Sequence, residues 1–251
     1  MIVCNLAARK DNMRNLEATF RYDDLNRLTE VRLGTVCTGA SAYDSYGRMT
    51  AKTAGGQAVF SGAVYNAAGK PHAMAKAAAS SSAFPEANQA VDYTGFDKVC
   101  SIKQGRDSLR YTYGYDHRRI AMTEYVGNTT RSKRYVDACE QVTVIGGYTA
   151  SSHWLTHLAG PTGVYAVVEK RGGEETLHYI LKDNLGSWTT VTDSEGNVEQ
   201  RLSYDAWGSL RDPDTWSGSF TGKPMFDRGP LKQVVINEHS GFMLPEVIST
   251  I

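Results

Sequence analysis

Residues 178–212 read HYILKDNLGSWTTVTDSEGNVEQRLSYDAWGSLRD. Three Asp-led turns, at Asp183, Asp193 and Asp205, are each followed three residues later by a glycine, Gly186, Gly196 and Gly208. In such a D-x-x-G string the carboxylate can accept a hydrogen bond from the backbone two residues on, and the glycine can take the positive φ that reverses the chain. Between the turns, WTTVT and VEQRLSY alternate in polarity and are rich in Thr, Val, Tyr and Trp, the composition of strands with one buried face. The stretch therefore predicts a β-meander.

Working outward, the same frame recurs in RYDDLNRL, AYDSYGRM, VYNAAGKP, DYTGFDKV, GYDHRRIA, LKDNLGSW and SYDAWGSL. Its Tyr position is occupied by Tyr22, Tyr43, Tyr65, Tyr93, Tyr115, Lys182 (where Tyr is replaced) and Tyr204, a period of about 22 residues over most of the chain. Asp23, Asp44, Asp116, Asp183 and Asp205 lead the turns, and Gly47, Gly69, Gly186 and Gly208 close them. Each period corresponds to about one hairpin. The interval from Tyr65 to Tyr93 is longer and holds AKAAASSSAFPEANQ, read as an inserted loop near 74–90 and as the one stretch of helical character. The interval from Tyr115 to Lys182 is close to three periods, so two repeats there have lost their markers, with RYVDACEQV at Tyr135 as a remnant.

A tyrosine recurring beside each turn predicts a ladder of rings packed across the sheet. A second use of such a ladder is sugar binding, which requires the tyrosines, or Trp154, Trp188 or Trp207, to lie exposed in a row. The positions after the turns carry Arg27 and Arg48, with Lys70, Lys98 and Arg119 in the same frame, a basic stripe read as a solvated edge that discourages stray strand pairing.

Composition narrows the function classes. The 251 residues are 41% hydrophobic, and 27 basic residues balance 27 acidic ones, so no electrostatic footprint favours nucleic acid or an anionic membrane. The mean hydropathy is -0.39 and no apolar run reaches a spanning length. The opening MIVCNLAARKDN is too short in apolar residues for a secretion signal, so any export signal is expected outside this chain. Cys4, Cys37, Cys100 and Cys139 are too scattered for a zinc site, and two disulfides of open connectivity are the oxidised alternative to buried thiols. His153 and His157 have i, i+4 spacing but lack the glutamate of HExxH and sit among strand formers. Glu174 and Glu175 sit beside a Gly-Gly hairpin tip, and Asn128-Thr129-Thr130 is a glycosylation sequon that matters only in a glycosylating host. No catalytic signature, cofactor motif or metal set is found, so the expectation is a protein that is not an enzyme, with no cofactor.

At this point a resemblance enters. RYDDLNRLTEV, YDSYGRMT and YDAWGSLRD resemble the YD repeats of Rhs proteins, and HYILKDNLGSWTTVTDSEGNVEQRLSYDAWGSLRDP followed by FTG at Phe220 resembles the start of the Rhs repeat-associated core. The resemblance spans roughly residues 5 to 229. It implies an array of hairpins spiralling into a shell that encloses or presents a C-terminal toxin, in secreted or cell-surface proteins of bacterial competition. The partners implied are the remainder of a larger Rhs polypeptide and its toxin cargo, with cell-surface glycans under the alternative of an adhesin or carbohydrate-binding module. The family's tyrosine-rich continuation and its aspartyl self-cleavage end have no counterpart in PLKQVVINEHSGFMLPEVISTI, so this tail is expected to be out of register with the family. Asp212-Pro213 precedes FTG and reads as a loop.

The expected architecture is all-β: an antiparallel β-hairpin repeat array in one curved or spiralling sheet, part of an Rhs-type β-shell. Residues 1–170 form the repeat array, 171–229 the start of the core, and 230–251 a divergent tail. Open sheet ends predict a chain prone to association when isolated.

Overall fold

The structure is a computed structural model that describes residues 5–66, 69–79, 89–218, 220–222 and 225–226. The fold is all-β and every strand pairing is antiparallel between sequence neighbours. Strands β1 (Ala8–Asp11), β2 (Leu16–Tyr22), β3 (Leu28–Leu33), β4 (Val36–Tyr43), β5 (Met49–Ala54), β6 (Gln57–Tyr65) and β7 (Met74–Ala79) form a seven-stranded meander. An eleven-stranded meander follows: β8 (Gln89–Tyr93), β9 (Val99–Gln104), β10 (Asp107–Tyr113), β11 (Arg119–Val126), β12 (Thr129–Val136), β13 (Cys139–Gly146), β14 (Thr149–Gly160), β15 (Gly163–Arg171), β16 (Glu174–Lys182), β17 (Trp188–Thr192) and β18 (Val198–Arg201). A last hairpin, β19 (Ser203–Tyr204) and β20 (Leu210–Arg211), forms its own two-stranded sheet.

Two compact units result. The first contains the seven-stranded sheet and the segment Tyr204–Thr221, and the second contains the eleven-stranded sheet. The single uninterrupted sheet expected from the repeats is thus divided between β7 and β8, where the period lengthens. Most of the inserted loop expected near 74–90 lies outside the described residues, as does the divergent tail. Its opening residues do not show the helical character expected of AKAAASSS: Met74–Ala79 is strand β7, paired with β6 from Phe60↔Ala79 to Tyr65↔Met74. Pairing with a neighbouring strand overrides the intrinsic helix preference of alanine, which is worth only tenths of a kcal/mol per residue.

The turns alternate along each meander. At one end lie five-residue connections at 23–27, 44–48, 94–98, 114–118 and 183–187, and at the opposite end two-residue hairpin turns such as Gly55-Gly56 and Gly172-Gly173, together with the five-residue turn 193–197. In each five-residue turn the first residue's N–H donates to the carbonyl of the fifth, and the fourth residue's N–H returns to the first carbonyl: Asp44 N to Arg48 O at 2.9 Å and Gly47 N to Asp44 O at 3.1 Å. The fourth residue must adopt positive φ, supplied by Gly47 (80°) and, where glycine is replaced, by Asn26 (60°), Asp97 (64°) and His117 (61°). The register shifts beside Tyr22, Tyr43, Tyr93 and Tyr113 are the bulges this geometry creates. The two markerless intervals keep their place at the same end as tight two-residue turns, Asp137-Ala138 and Pro161-Thr162.

One repeat frame needs correction. GYDHRRIA was aligned on Tyr115 and Asp116, but the turn runs two residues earlier: Gly114 N donates to Arg118 O at 2.8 Å and His117 N to Gly114 O at 3.1 Å, so Tyr113 holds the Tyr position and Gly114 the Asp position. A Cβ on Gly114 would lie 3.0 Å from Asp116 Oδ1 and 3.3 Å from Ile120 Cγ2, so a side chain there would press on both. Tyr115 is fully exposed, and Asp116 instead accepts the Arg118 N–H at 3.0 Å.

Three apolar clusters anchor the sheets. Met49, Val59 and Phe60 form one in the first unit, and Val99, Ile102, Leu109, Tyr111 and Met122 form another in the second. Leu155, Val167, Ile180 and Val191 form a third, with Trp188 and Phe226 packed against it.

Candidate functional site

The repeated turns build a side-chain ladder, seen most completely at the turns 23–27 and 44–48. Each turn aspartate binds its own loop: Asp23 Oδ1 accepts the N–H groups of Leu25 (3.0 Å) and Arg27 (2.9 Å), and Asp44 Oδ1 those of Tyr46 (2.9 Å) and Arg48 (3.0 Å). The second carboxylate oxygen holds the following arginine, with Arg27 Nε to Asp23 Oδ2 at 2.6 Å and Arg48 Nε to Asp44 Oδ2 at 2.7 Å. The guanidinium then reaches forward. Arg27 donates to Asp44 O at 2.9 Å and lies 4.9 Å from the Tyr43 ring centre; Arg48 donates to Pro71 O at 2.9 Å and lies 4.9 Å from the Tyr65 ring centre.

The tyrosine answers in the reverse direction. Its hydroxyl donates to the carbonyl just after the previous turn, as Tyr43 to Leu28 O (2.9 Å), Tyr65 to Met49 O (2.6 Å) and Tyr113 to Val99 O (2.6 Å). Burial raises the Tyr43 and Tyr65 hydroxyls above the ordinary phenol value, which keeps them protonated as donors. Lys182, standing in the Tyr position, makes the same backward reach with its ammonium, to Thr162 O at 2.5 Å. In the first sheet, hairpins are therefore joined by an arginine reaching forward and a hydroxyl reaching back, and Lys182 makes the backward reach in the second.

This arrangement corrects the solvated-edge reading of the basic stripe. The side chains of Arg27 and Arg48 are only 25% and 23% exposed, because the strand spacing brings the next turn within guanidinium reach. We expect Arg48→Lys to lower stability by about 1 kcal/mol despite conserving charge, since an ammonium cannot serve the carboxylate, the carbonyl and the ring face together. Urea unfolding midpoints of the two proteins measure it, and an unchanged midpoint refutes it.

The turn carboxylates also set an acid limit. At Asp23 the backbone N–H of Arg27 leads the hydrogen bonds that hold the carboxyl below 3.8; at Asp44 burial pushes upward but the Arg48 N–H and guanidinium outweigh it; at Asp193 the Asn197 amide leads. A depressed folded pKa contributes stability that is complete above the unfolded value and is lost as pH falls through the folded one. Stability should therefore fall steeply below about pH 4, and Asp44→Asn, which keeps an acceptor but not the ion pair, should flatten that slope. Unfolding midpoints from pH 7 down to pH 3 test this; parallel curves for both proteins would contradict it.

The first sheet's buried face is completed by residues from the far end of the chain. The Trp207 ring packs against Gly39, where a Cβ would come within 2.6 Å of its Cζ3. Beneath the same ring is Lys52, 2% exposed, its Nζ 4.9 Å from the indole centre and its ammonium pushed below the ordinary lysine value by burial, with Asp205 acting in the opposite direction. Ser41 faces Lys52 across β4 and β5, but both are covered, so the pair has no open approach for a substrate. Arg9 donates to Tyr204 O at 3.0 Å, Arg14 pairs with Asp214 at 2.9 Å, and Arg9 and Arg211 lie 4.8 and 4.6 Å from the Trp216 ring centre. The Arg211 guanidinium is pushed down to about 10 by burial and by Arg9.

The second sheet buries charge as well. Glu124, Arg131 and Lys133 are 2%, 8% and 3% exposed; Glu124 and Arg131 are direct cross-strand neighbours, and Lys133 is ion-paired with Glu140. His178, also buried, sits 2.6 Å from Glu199. Sequence reading missed these positions because strand alternation distinguishes two faces and gives no sign that charges occupy the inner one.

The remaining sequence candidates fall in structural roles. His153 and His157 lie on strand β14, and among the described residues no group of three His, Cys, Asp or Glu side chains could hold a metal. Cys37, Cys100 and Cys139 are free thiols. Tyr22, Tyr43, Tyr65, Tyr93 and Tyr204 are half-buried, Trp188 packs edge-on against Phe226 at 5.9 Å, and Trp207 covers Gly39, while Trp154 is 41% exposed.

No protein-family model matches the chain, and no curated protein matches it. Among solved structures it is similar to the crystal structure of TcdB2-TccC3, with a TM-score of 0.45 and 12% identity over 84% of this chain and 14% of that one. It is similar also to the crystal structure of TcdB2-TccC3-TEV, with a TM-score of 0.44 and 12% identity over 82% of this chain and 15% of the other. The chain thus spans about one-seventh of the length of the structures it matches.

Proposed function

We propose that this chain is a non-catalytic structural segment of an Rhs-type YD-repeat protein, contributing hairpins to a shell that encloses or presents a C-terminal toxin in bacterial competition, outside the producing cell. The observation that carries this reading is the two-way clamp between successive turns. Its residues, Tyr43, Asp44, Arg48 and Tyr65 among them, are those of the repeat motif itself, and each is engaged in joining one hairpin to the next. A motif whose every polar group is spent on its neighbours is suited to wall-building.

The test is made on the full polypeptide encoded by the gene with its flanks. Limited proteolysis should leave its C-terminal region protected, and Arg27→Ala with Arg48→Ala, which cut two forward clamps, should increase the cleavage rate there severalfold. Equal protection in the clamp variant, or no protected C-terminal region in the parent, would sink the proposal.

A further inference from the structure

The Tyr204–Thr221 segment makes a set of contacts unlike any other hairpin in the chain. Among the described residues β19 and β20 pair with each other and with no strand of the first sheet, so the segment joins that sheet outside its hydrogen-bonded ladder. It is held by side chains: Trp207 over Gly39 and Lys52, Arg9 against Tyr204 O and Trp216, and Arg14 against Asp214. These partners are separated by 195 and 200 residues of sequence in the two polar contacts. Both halves of the interface are present in every copy of the chain, and the segment could leave without breaking any strand of the sheet it covers.

A receptor face and its plug that lie far apart on one chain, joined outside the strand ladder, meet the conditions for exchange between copies. We infer that the Gly39–Lys52 face of the first sheet also accepts the Tyr204–Trp216 segment of a second copy of this chain, giving a reciprocal dimer. The contacts in the dimer are those of the single chain, so the exchange gains and loses no interface. Chain concentration sets the balance.

The experiment uses the size of Trp207 against the absence of a side chain at Gly39. Gly39→Leu blocks the receptor and keeps the plug; Trp207→Ala keeps the receptor and removes the plug. In a mixed pair, one interface has both wild-type halves and the other sets the added leucine against the vacated indole site. The two variants, carrying different affinity tags, are unfolded, mixed, refolded and separated by size with light scattering. The mixed dimer should be enriched about tenfold over either self-pair, equivalent to about 1.4 kcal/mol, and the wild-type chain should show a dimer that grows with the protein concentration during refolding.

A wild-type chain that stays monomeric at every refolding concentration overturns the inference, as does random pairing of the tags. If either core variant fails to refold, Arg14→Asp and Asp214→Arg replace them, because that ion pair is partly open to solvent. Each variant alone sets like charges together, whereas the mixture restores opposite charges at both interfaces, and absence of preferential mixing there overturns the inference equally.

Discussion

Phe60→Ala should lower the stability of the protein by about 3–5 kcal/mol, the range for deleting a buried aromatic ring. Phe60 is 1% exposed and forms the centre of the cluster that includes Met49 and Val59, with Tyr43, Met74 and Trp207 packed around it. It pairs across the strands with Lys52, so its ring also forms part of the apolar surround of that buried ammonium. Removing the ring leaves a void bounded by strands whose hydrogen bonding resists collapse, and the cavity cost adds to the lost transfer energy. Urea unfolding followed by tryptophan fluorescence measures the effect, since Trp207 lies in the same cluster. A loss below about 1 kcal/mol would mean that the cluster does not anchor the first sheet.

The turns were legible in the sequence because their chemistry is local. An aspartate, two free positions, a residue able to take positive φ and a basic residue are all contained within one loop, and the strands between them alternate without help from elsewhere. The frame slips at YGYDHRR because two tyrosines two residues apart present the same strand parity, and the turn's hydrogen bonds, from Gly114 N to Arg118 O and from His117 N to Gly114 O, decide between them. The forward reach of Arg27 and Arg48 was not legible, since it depends on the distance between adjacent turns in space. The same holds more strongly for Gly39. In sequence it is one glycine among many in a strand, and its need for a bare Cα comes from a tryptophan at position 207. The two repeats expected between Tyr115 and Lys182 are present as the two-residue turns at Asp137 and Pro161, which the spacing alone announced, since neither turn carries the five-residue marker.

Those markerless hairpins raise the question of what fixes their register, and the buried charges supply an answer. Between β11 and β13 the turns carry no Tyr-Asp clamp, and a two-residue slip would keep the same face inward at little apolar cost. Such a slip would part Glu124 from Arg131 and Lys133 from Glu140, all of them on the buried side. Glu140→Ala is therefore expected to cost about 3 kcal/mol, because it takes from a 3% exposed ammonium its carboxylate partner. Lys133→Met combined with Glu140→Leu should lose much less, within about 1 kcal/mol of the parent, since the pair's own desolvation penalty disappears with it. The parent, Glu140→Ala and the apolar double variant, compared by urea unfolding, separate the cost of the orphaned ammonium from that of the pair. The apolar double variant should nonetheless show more than one set of backbone resonances for β11 to β13, because stability without paired charges no longer selects one register. A double variant as unstable as Glu140→Ala, or one with a single sharp set of resonances, would show that these charges neither cost desolvation energy nor specify the pairing.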